Sequence, residues 1–205
     1  AALTVLLSGL DLRDIIYVAH DWGGPLVAGL GANAPERVAG LVLGNTSVLV
    51  PPRPRGTAFH RFAHMPGVSD LVFRGLGFPQ IALGWAQGDR RSISGEVARA
   101  YVWPLRNMAD RAAPLALARM VPNGPDHPSL SGLRRGEAWA RSFTGPTALV
   151  WGRNDPILAR AVVHHIRALP HASITHTQAG HFLQEEVPDQ LARAIEQVAD
   201  QIDAL

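Results

Sequence analysis

The segment 14–32, DIIYVAHDWGGPLVAGLGA, decides the fold because it passes from a strand pattern to a helix pattern within a few residues. Residues 15–20 are mostly β-branched or aromatic, as in a buried strand of a parallel sheet. Two glycines follow, and Pro25 opens an apolar helix. We therefore predict a strand, a sharp turn and a helix, with the ionisable side chain of Asp21 at the turn.

The composition indicates one globular domain with a sizeable core. The chain has 205 residues, 47% of them hydrophobic, and contains no run long enough for a membrane-spanning helix. Its formal charge is only +2, and its 19 basic residues are all Arg and are scattered, so we predict no nucleic-acid partner. The absence of Cys excludes disulfides and thiol chemistry and favours a reducing, cytoplasmic location.

The first residues predict that the chain is the later part of a longer protein. It begins AALTVLLSGL, without Met and without the layout of a signal peptide, and the apolar residues at 3, 6, 7 and 10 indicate a helix. We therefore expect the early strands of the sheet to be missing. An inactive, truncated fragment is the non-enzymatic alternative.

Strand and helix patterns alternate along the chain, which predicts a mostly parallel sheet covered by helices. Strands are predicted at 15–20, 37–46, 146–152 and 172–178. Helices are predicted up to Gly9, from Pro25 to about Ala34, near 158–168 and from Pro188 onward. The last of these carries Leu191, Ile195, Val198 and Ile202 on one face.

The stretch between the second and third predicted strands has a different pattern. Here VPPRPRG (50–56) cannot continue a strand, and short helical pieces broken by Gly and Pro follow it. In one of these pieces Ser94 is expected to cap a helix with its side chain. We therefore predict a core in two parts, 1–56 and 142–205, separated by a helical cap at 57–141.

Polar residues follow three of the predicted strands: Asp21, Asp155 in GRND and His181 in AGHF. In an open parallel sheet, ligands bind beyond the carboxyl ends of the strands, so these side chains are expected to meet. The small residues at 19 and 23 permit the close approach of strand and helix in a nucleophile elbow. The helix N-terminus that follows favours an anion at position 21.

Each of these residues also has a simpler interpretation. Asp21 could cap the helix, Asp155 could be a turn residue, and His181 could be a structural histidine. Four further histidines lie nearby in sequence, at 164, 165, 171 and 176. Their spacing matches no usual ligand pattern, so we predict no metal site.

Three motifs resemble one enzyme family. VAHDWGG (18–24) resembles the elbow of the α/β-hydrolases that use Asp as nucleophile, namely the haloalkane dehalogenases and epoxide hydrolases. WGRNDPIL (151–158) resembles their catalytic-acid loop, and AGHFLQEEVPDQL (179–191) resembles their catalytic-histidine loop. The resemblance runs along the whole chain but covers only the later part of the family's fold. The His-Gly-rich loop that supplies half of the family's oxyanion hole has no match here.

The resemblance implies an α/β-hydrolase fold with a helical cap and a two-step reaction that needs no cofactor. Asp21 would displace a halide from an sp³ carbon and form an ester, which a water activated by His181 would hydrolyse. Asp155 would hold the imidazole in the required tautomer. Trp22 would donate its backbone N–H to the oxyanion and its indole N–H to the halide. The implied partners are a small electrophilic substrate and water, with no indication of an oligomeric state.

Two other reactions stay open. Epoxide hydrolases share the elbow and use two cap tyrosines, whereas this chain has Tyr17 in a predicted strand and only Tyr101 in the cap. The segments LVLGNTSV (41–48) and PDHPSL (125–130) resemble the dehalogenase branch that includes β-lactone decarboxylases, which use the same Asp to open a lactone.

For two roles in this family, the catalytic acid and the second halide donor, the sequence offers more than one candidate residue. Some relatives carry the acid after the second strand, at the place of Asn45, and an amide cannot serve as that carboxylate, which favours Asp155. Dehalogenases also use a second halide donor. The candidates are Trp85, Trp103 and Trp139, each of which is alternatively expected to pack in the core.

Overall fold

The computed structural model describes residues 2–204 and contains one four-stranded, fully parallel sheet. The strand order is β1–β2–β3–β4, with β1 at one edge. The strands are β1 (Ile15–Asp21), β2 (Val38–Thr46), β3 (Thr147–Gly152) and β4 (Ser173–Thr177). All four lie within two residues of the predicted limits, so the strand predictions are confirmed.

Ten α-helices accompany the sheet in the described residues. They are α1 (Ala2–Gly9), α2 (Gly23–Asn33), α3 (Ala58–Ala63), α4 (Val68–Asp70), α5 (Gly95–Val102), α6 (Ala112–Met120), α7 (Leu130–Ser142), α8 (Val162–Ala168), α9 (Leu183–Glu186) and α10 (Pro188–Asp203). Short 3₁₀ and π turns connect several of them. Of the helices described, none has the length and apolarity needed to cross a lipid bilayer.

Two hydrophobic clusters cover opposite faces of the sheet. In β2, Leu41 and Leu43 point into a cluster with Val27 and Ala28 of α2. The intervening Val42 points to the other face, where the cluster includes Ala148, Val150, Ala194 and Val198. The predicted apolar face of α10 packs here, because Leu191, Ile195 and Ile202 contact the same cluster. Successive side chains of β2 thus point to opposite faces of the sheet, and both faces are buried. This is expected for a central strand of a parallel sheet.

The described residues divide into two compact units. The core unit comprises the residues up to Val50 and those from Ser131 onward, and the helical unit runs from Pro51 to Leu130. These limits differ from the predicted boundaries at 56 and 141. The reason is that α7 packs on the core, where the indole of Trp139 occupies the space that a methyl group on Gly31 would need. Trp139 is therefore a core residue and not a cap residue.

The helical unit has a small hydrophobic core and a set of hydrogen bonds from one arginine side chain. The buried residues of this core are Ala63, Phe73, Leu115 and Ala118. The guanidinium of Arg111 donates to the backbone carbonyls of Arg74, Gly75 and Leu105, which ties three segments together.

The predicted side-chain cap by Ser94 is wrong in its detail. Ser94 does occupy the N-cap position of α5, but its hydroxyl donates to the carbonyl of Arg91 at 2.6 Å and accepts no helix N–H. Serine hydroxyls often satisfy a nearby backbone carbonyl in this way, in competition with capping.

His165 is a fully buried histidine that joins α8 to the segment after β2. Its Nδ1 lies 2.8 Å from the carbonyl of Ala161, and its Nε2 accepts the N–H of Val48 at 3.2 Å. The carbonyl can only accept, so the ring is neutral with its proton on Nδ1. Burial, aided by the charges of His164 and Arg141, lowers the pKa of His165 below its ordinary 6.5.

Because the pKa of His165 is lowered in the folded protein, we expect the protein to lose stability in acid. The unfolded chain takes up a proton below about pH 6.5 that folded His165 does not, so the free energy of unfolding should fall as the pH drops through that value. Replacing His165→Gln should lower stability at pH 8 but flatten the fall below pH 6.5. Urea titrations at a series of pH values measure this. His171→Gln, at an exposed histidine, should leave the slope unchanged, and an equal slope in both variants would contradict the assignment.

Candidate active site

Asp21 lies at a strained turn between β1 and α2. Its φ of 49° is in the left-handed region, which is uncommon for a residue other than glycine. Trp22 occupies the N-cap position of α2, and no side chain caps that helix end. The side chain of Asp21 is 47% exposed. The simpler interpretation of Asp21 as a helix cap is therefore wrong, because Trp22 holds the N-cap position and the carboxylate of Asp21 accepts no N–H of the helix.

The strained turn is held by Thr46 at the end of β2. The hydroxyl of Thr46 donates to the backbone carbonyl of Asp21 and accepts the N–H of Gly24 at 3.0 Å. Neither group has a regular helical partner, since Pro25 lacks the N–H that a carbonyl at position 21 would use, and the first helical N–H groups have no acceptor within the helix. Thr46 carries no sequence motif, and its only signal is a hydroxyl at the end of the neighbouring strand.

The structure brings the three predicted residues together at the carboxyl edge of the sheet. Asp155 follows β3 and His181 follows β4. The Nδ1 atom of His181 lies 3.0 Å from Oδ2 of Asp155. Its Nε2 atom lies 3.9 Å from Oδ1 of Asp21. His181 and Asp155 are buried, so the imidazole is held between an enclosed carboxylate and an exposed one.

Asp155 uses its two oxygens for different partners. Oδ1 accepts the backbone N–H groups of Ile157 at 2.7 Å and Leu158 at 3.1 Å, which makes it a turn residue. Oδ2 accepts from His181. The two sequence-based interpretations of Asp155, as a turn residue and as the partner of the histidine, are therefore compatible.

The loop before His181 approaches β3 very closely. A methyl group on Gly152 would overlap the carbonyl of Ala179 and would lie 2.7 Å from the carbonyl of Gly180. The carboxylate of Glu186 accepts the N–H of Gly180 at 2.6 Å. The backbone on the N-terminal side of His181 is thus fixed by a close contact and a charge-assisted hydrogen bond.

The carbonyl oxygen of His181 receives two side-chain hydrogen bonds. Nε2 of His20 lies 2.8 Å from it, and Nδ2 of Asn45 lies 3.0 Å from it. Nδ2 of Asn45 also donates to the carbonyl of Gly180 at 2.7 Å, while its Oδ1 accepts the N–H of Gly152 at 2.9 Å. The position that carries an acid in some relatives is thus an amide with both ends engaged. From the sequence alone, Asn45 indicates only the absence of an acid at its position, and His20 has no predicted role.

Trp22 keeps both of its predicted donors available. Its side chain is half-buried, and among residues 2–204 neither its indole N–H nor its backbone N–H has an acceptor.

Trp85 and Trp103 do not pack in a core as expected, because they are 72% and 65% exposed. The guanidinium of Arg90 lies 4.5 Å from the ring of Trp85, and that of Arg106 lies 3.9 Å from the ring of Trp103.

The described part of the chain contains no group of three or more His, Cys, Asp or Glu side chains that could hold a metal ion. His165, one of the four histidines considered above, uses both ring nitrogens within the core.

The chain matches one protein family and is similar in sequence to two kinds of enzyme. A family model described as the alpha/beta hydrolase fold matches residues 1–188. The chain is similar to a haloalkane dehalogenase of Mycolicibacterium paratuberculosis, 28% identical over 91% of this chain and 60% of that protein. It is also similar to a cis-3-alkyl-4-alkyloxetan-2-one decarboxylase of Shewanella oneidensis, 25% identical over 99% of this chain and 65% of that protein.

Among solved structures, the haloalkane dehalogenase DbeA of Bradyrhizobium elkani superposes with a TM-score of 0.86 and 25% identity. The match covers 98% of this chain and 72% of that one. The chain therefore spans 60–65% of the length of the two curated relatives named above.

The contact between Thr46 and Gly24 predicts a sharp difference between two glycines of α2. A methyl group on Gly24 would overlap Oγ1 of Thr46, whereas one on Gly29 would meet nothing within 4 Å. We expect Gly24→Ala to lower the free energy of unfolding by about 1–3 kcal/mol through overpacking. Gly29→Ala should raise it by about 0.5–1 kcal/mol, because alanine favours the helix. Urea unfolding of both variants measures this, and equal effects would contradict the described turn.

Proposed function

The chain belongs to the alpha/beta hydrolase fold family, as its motifs predicted, and on this premise we propose that it hydrolyses a carbon–halogen bond through an ester on Asp21. The observation that carries the proposal is the line of three side chains at the carboxyl edge of the sheet, in which His181 faces Asp21 with Nε2 and Asp155 with Nδ1. The similarity to haloalkane dehalogenases supports the choice of substrate class.

In the first step, an oxygen of Asp21 attacks an sp³ carbon and the halide leaves with the bonding electron pair. A carboxylate needs no base for this attack, and the step transfers no proton. Asp21 suits the role because its carboxylate is half-exposed and engaged in no helix cap. The free indole N–H of Trp22 is the donor that we assign to the departing halide.

In the second step, Nε2 of His181 takes a proton from a water molecule whose oxygen attacks the ester carbonyl of Asp21. The backbone N–H of Trp22 donates to the oxyanion that forms. The intermediate then expels the alkoxide, which takes the proton from the imidazolium and leaves as the alcohol. Asp155 stabilises that imidazolium through Oδ2 and keeps the ring in the tautomer with Nδ1–H. The restored carboxyl group of Asp21 releases one proton per turnover.

A second candidate is the opening and decarboxylation of a β-lactone by the same carboxylate. The observation that favours it is the similarity to the Shewanella oneidensis decarboxylase, which extends over 99% of this chain. Epoxide hydrolysis is the weaker alternative, because Tyr17 is buried in the core and leaves Tyr101 as the one tyrosine outside it. We also propose a small-molecule substrate with water, no cofactor and a cytoplasmic location.

The two-step mechanism predicts a trapped ester when the base is removed. His181→Phe should leave the first step intact and stop hydrolysis, so a covalent adduct should accumulate on Asp21. Intact-protein mass spectrometry after incubation with a 1-bromoalkane, a cis-β-lactone or an epoxide identifies the substrate class by the added mass. The control is the double variant Asp21→Asn, His181→Phe, which should acquire no adduct.

The outcome that removes the mechanism is an unmodified His181→Phe protein with all three electrophiles. That result would favour the non-enzymatic alternative, an inactive fragment. An adduct with the lactone alone would move the assignment to the decarboxylase reaction.

Asp155→Asn separates the turn role of this residue from its role beside the histidine. The amide oxygen can still accept from Ile157 and Leu158, so the turn should survive. The amide nitrogen would face Nδ1 of His181 and favour the wrong tautomer, so the steady-state kcat, which includes hydrolysis of the ester, should fall by about 10³–10⁴-fold. Steady-state formation of the alcohol and thermal unfolding, measured together, check both parts. A loss of less than tenfold in a folded variant would contradict the role assigned to Asp155.

A further inference from the structure

The backbone of His181 is held by two side chains that the proposed reaction does not use. His20 and Asn45 both donate to the carbonyl oxygen of His181, at 2.8 and 3.0 Å. We propose that they are positioning residues, which fix the peptide after His181 so that its imidazole stays aimed at the ester on Asp21. The inference rests on the proposed function and concerns its second step alone.

Asn45 is placed for this role by an irregularity in the sheet. His20 pairs with Gly44 and Asp21 pairs with Thr46, so Asn45 is an extra residue in β2, with a left-handed φ of 38°. Such a bulge redirects a side chain, and Asn tolerates this conformation better than most residues. The result is a fully buried amide directed at the histidine loop.

The three contacts of Asn45 determine which end of its amide faces the loop. Two carbonyls, of Gly180 and His181, can only accept, and the N–H of Gly152 can only donate. An amide supplies both kinds of partner, whereas a carboxylate would set its oxygens against two carbonyl oxygens. This position is therefore built to hold the base and not to act as its acid.

His20, the residue before Asp21, is the second side chain that donates to the carbonyl of His181. The carbonyl of His181 can only accept, so Nε2 of His20 carries a proton. The ring centroids of His20 and His181 are 4.8 Å apart. Burial, followed by the nearby charge of His181, lowers the pKa of His20 below its ordinary value. A neutral ring at this place donates the hydrogen bond without repelling the imidazolium that forms on His181.

The two donors complete the restraints on His181. Asp155 holds the ring at Nδ1, and Glu186 holds the backbone on the N-terminal side at Gly180. His20 and Asn45 hold the backbone on the C-terminal side. Because formation of the ester does not involve His181, loss of a donor should slow hydrolysis and leave alkylation unchanged. A general loss of structure would reduce both.

The first experiment compares His20→Phe with His20→Gln. Phe keeps an aromatic ring without a donor, whereas Gln keeps an N–H close to the place of Nε2. Rapid-quench mass spectrometry with a 1-bromoalkane follows the formation and decay of the ester. We expect His20→Phe to form the ester at the wild-type rate and to hydrolyse it about 10–100-fold more slowly. His20→Gln should recover most of the hydrolysis rate, and His171→Phe, at an exposed histidine, should match wild type in both steps.

Asn45→Gly tests the other donor without backbone strain, since glycine accepts a left-handed φ. It should show the same selective loss of hydrolysis. Hydrolysis at the wild-type rate in His20→Phe and in folded Asn45→Gly would overturn the proposal, as would an equal loss of alkylation and hydrolysis in His20→Phe.

A second readout does not require activity. The Nδ1–H proton of His181, bonded to Asp155, should give a downfield NMR signal that exchanges with water faster in His20→Phe than in wild type or His20→Gln. If the wild-type chain forms no ester, the proposed function fails, and this comparison alone decides whether His20 positions the ring. An unchanged signal in His20→Phe would overturn the inference.

Discussion

The left-handed backbone of Asp21 is the constraint on which the site depends. An L-residue in this conformation costs roughly 1–2 kcal/mol, so neighbouring interactions must maintain it. Here Thr46 binds the carbonyl of Asp21 and the N–H of Gly24, on both sides of the turn. Both hydrogen bonds of Thr46 go to the backbone, so they leave the carboxylate of Asp21 free of the turn. The carboxylate faces His181 and remains half-exposed.

Strand β2 supplies no reacting group in the proposed mechanism, yet it organises the strands that do. Its last two residues act in different directions: Thr46 holds the turn that carries Asp21, and Asn45 holds the loop that carries His181. The bulge at Asn45 interrupts the regular alternation of side chains between the two faces of the sheet, and the amide of Asn45 reaches the histidine loop from this irregular position. Two adjacent residues of β2 therefore hold the backbone of the proposed nucleophile and the backbone of the proposed base.

The sequence predicted the strands and the three polar strand ends because both depend on local patterns, namely β-branched runs and their positions in a parallel sheet. It did not reveal Thr46 or the role of His20, whose partners are backbone carbonyls that no residue pattern marks. The limits of the two compact units differ from the predicted limits of the cap for a related reason. Whether α7 joins the core is decided by the contact between Gly31 and Trp139, which are far apart in sequence.

The two carboxylates of the site differ in how far their lone pairs are engaged, and this difference assigns their roles. Asp155 is buried and accepts three hydrogen bonds, two from the backbone and one from His181. An oxygen whose lone pairs bind donors is a poor nucleophile but a good partner for a cation. Asp21, within the residues described, is engaged only by the distant Nε2 of His181 at 3.9 Å, so its lone pairs are free to attack carbon. The fold therefore distinguishes the nucleophile from the supporting acid by withholding hydrogen bonds from one carboxylate and supplying them to the other.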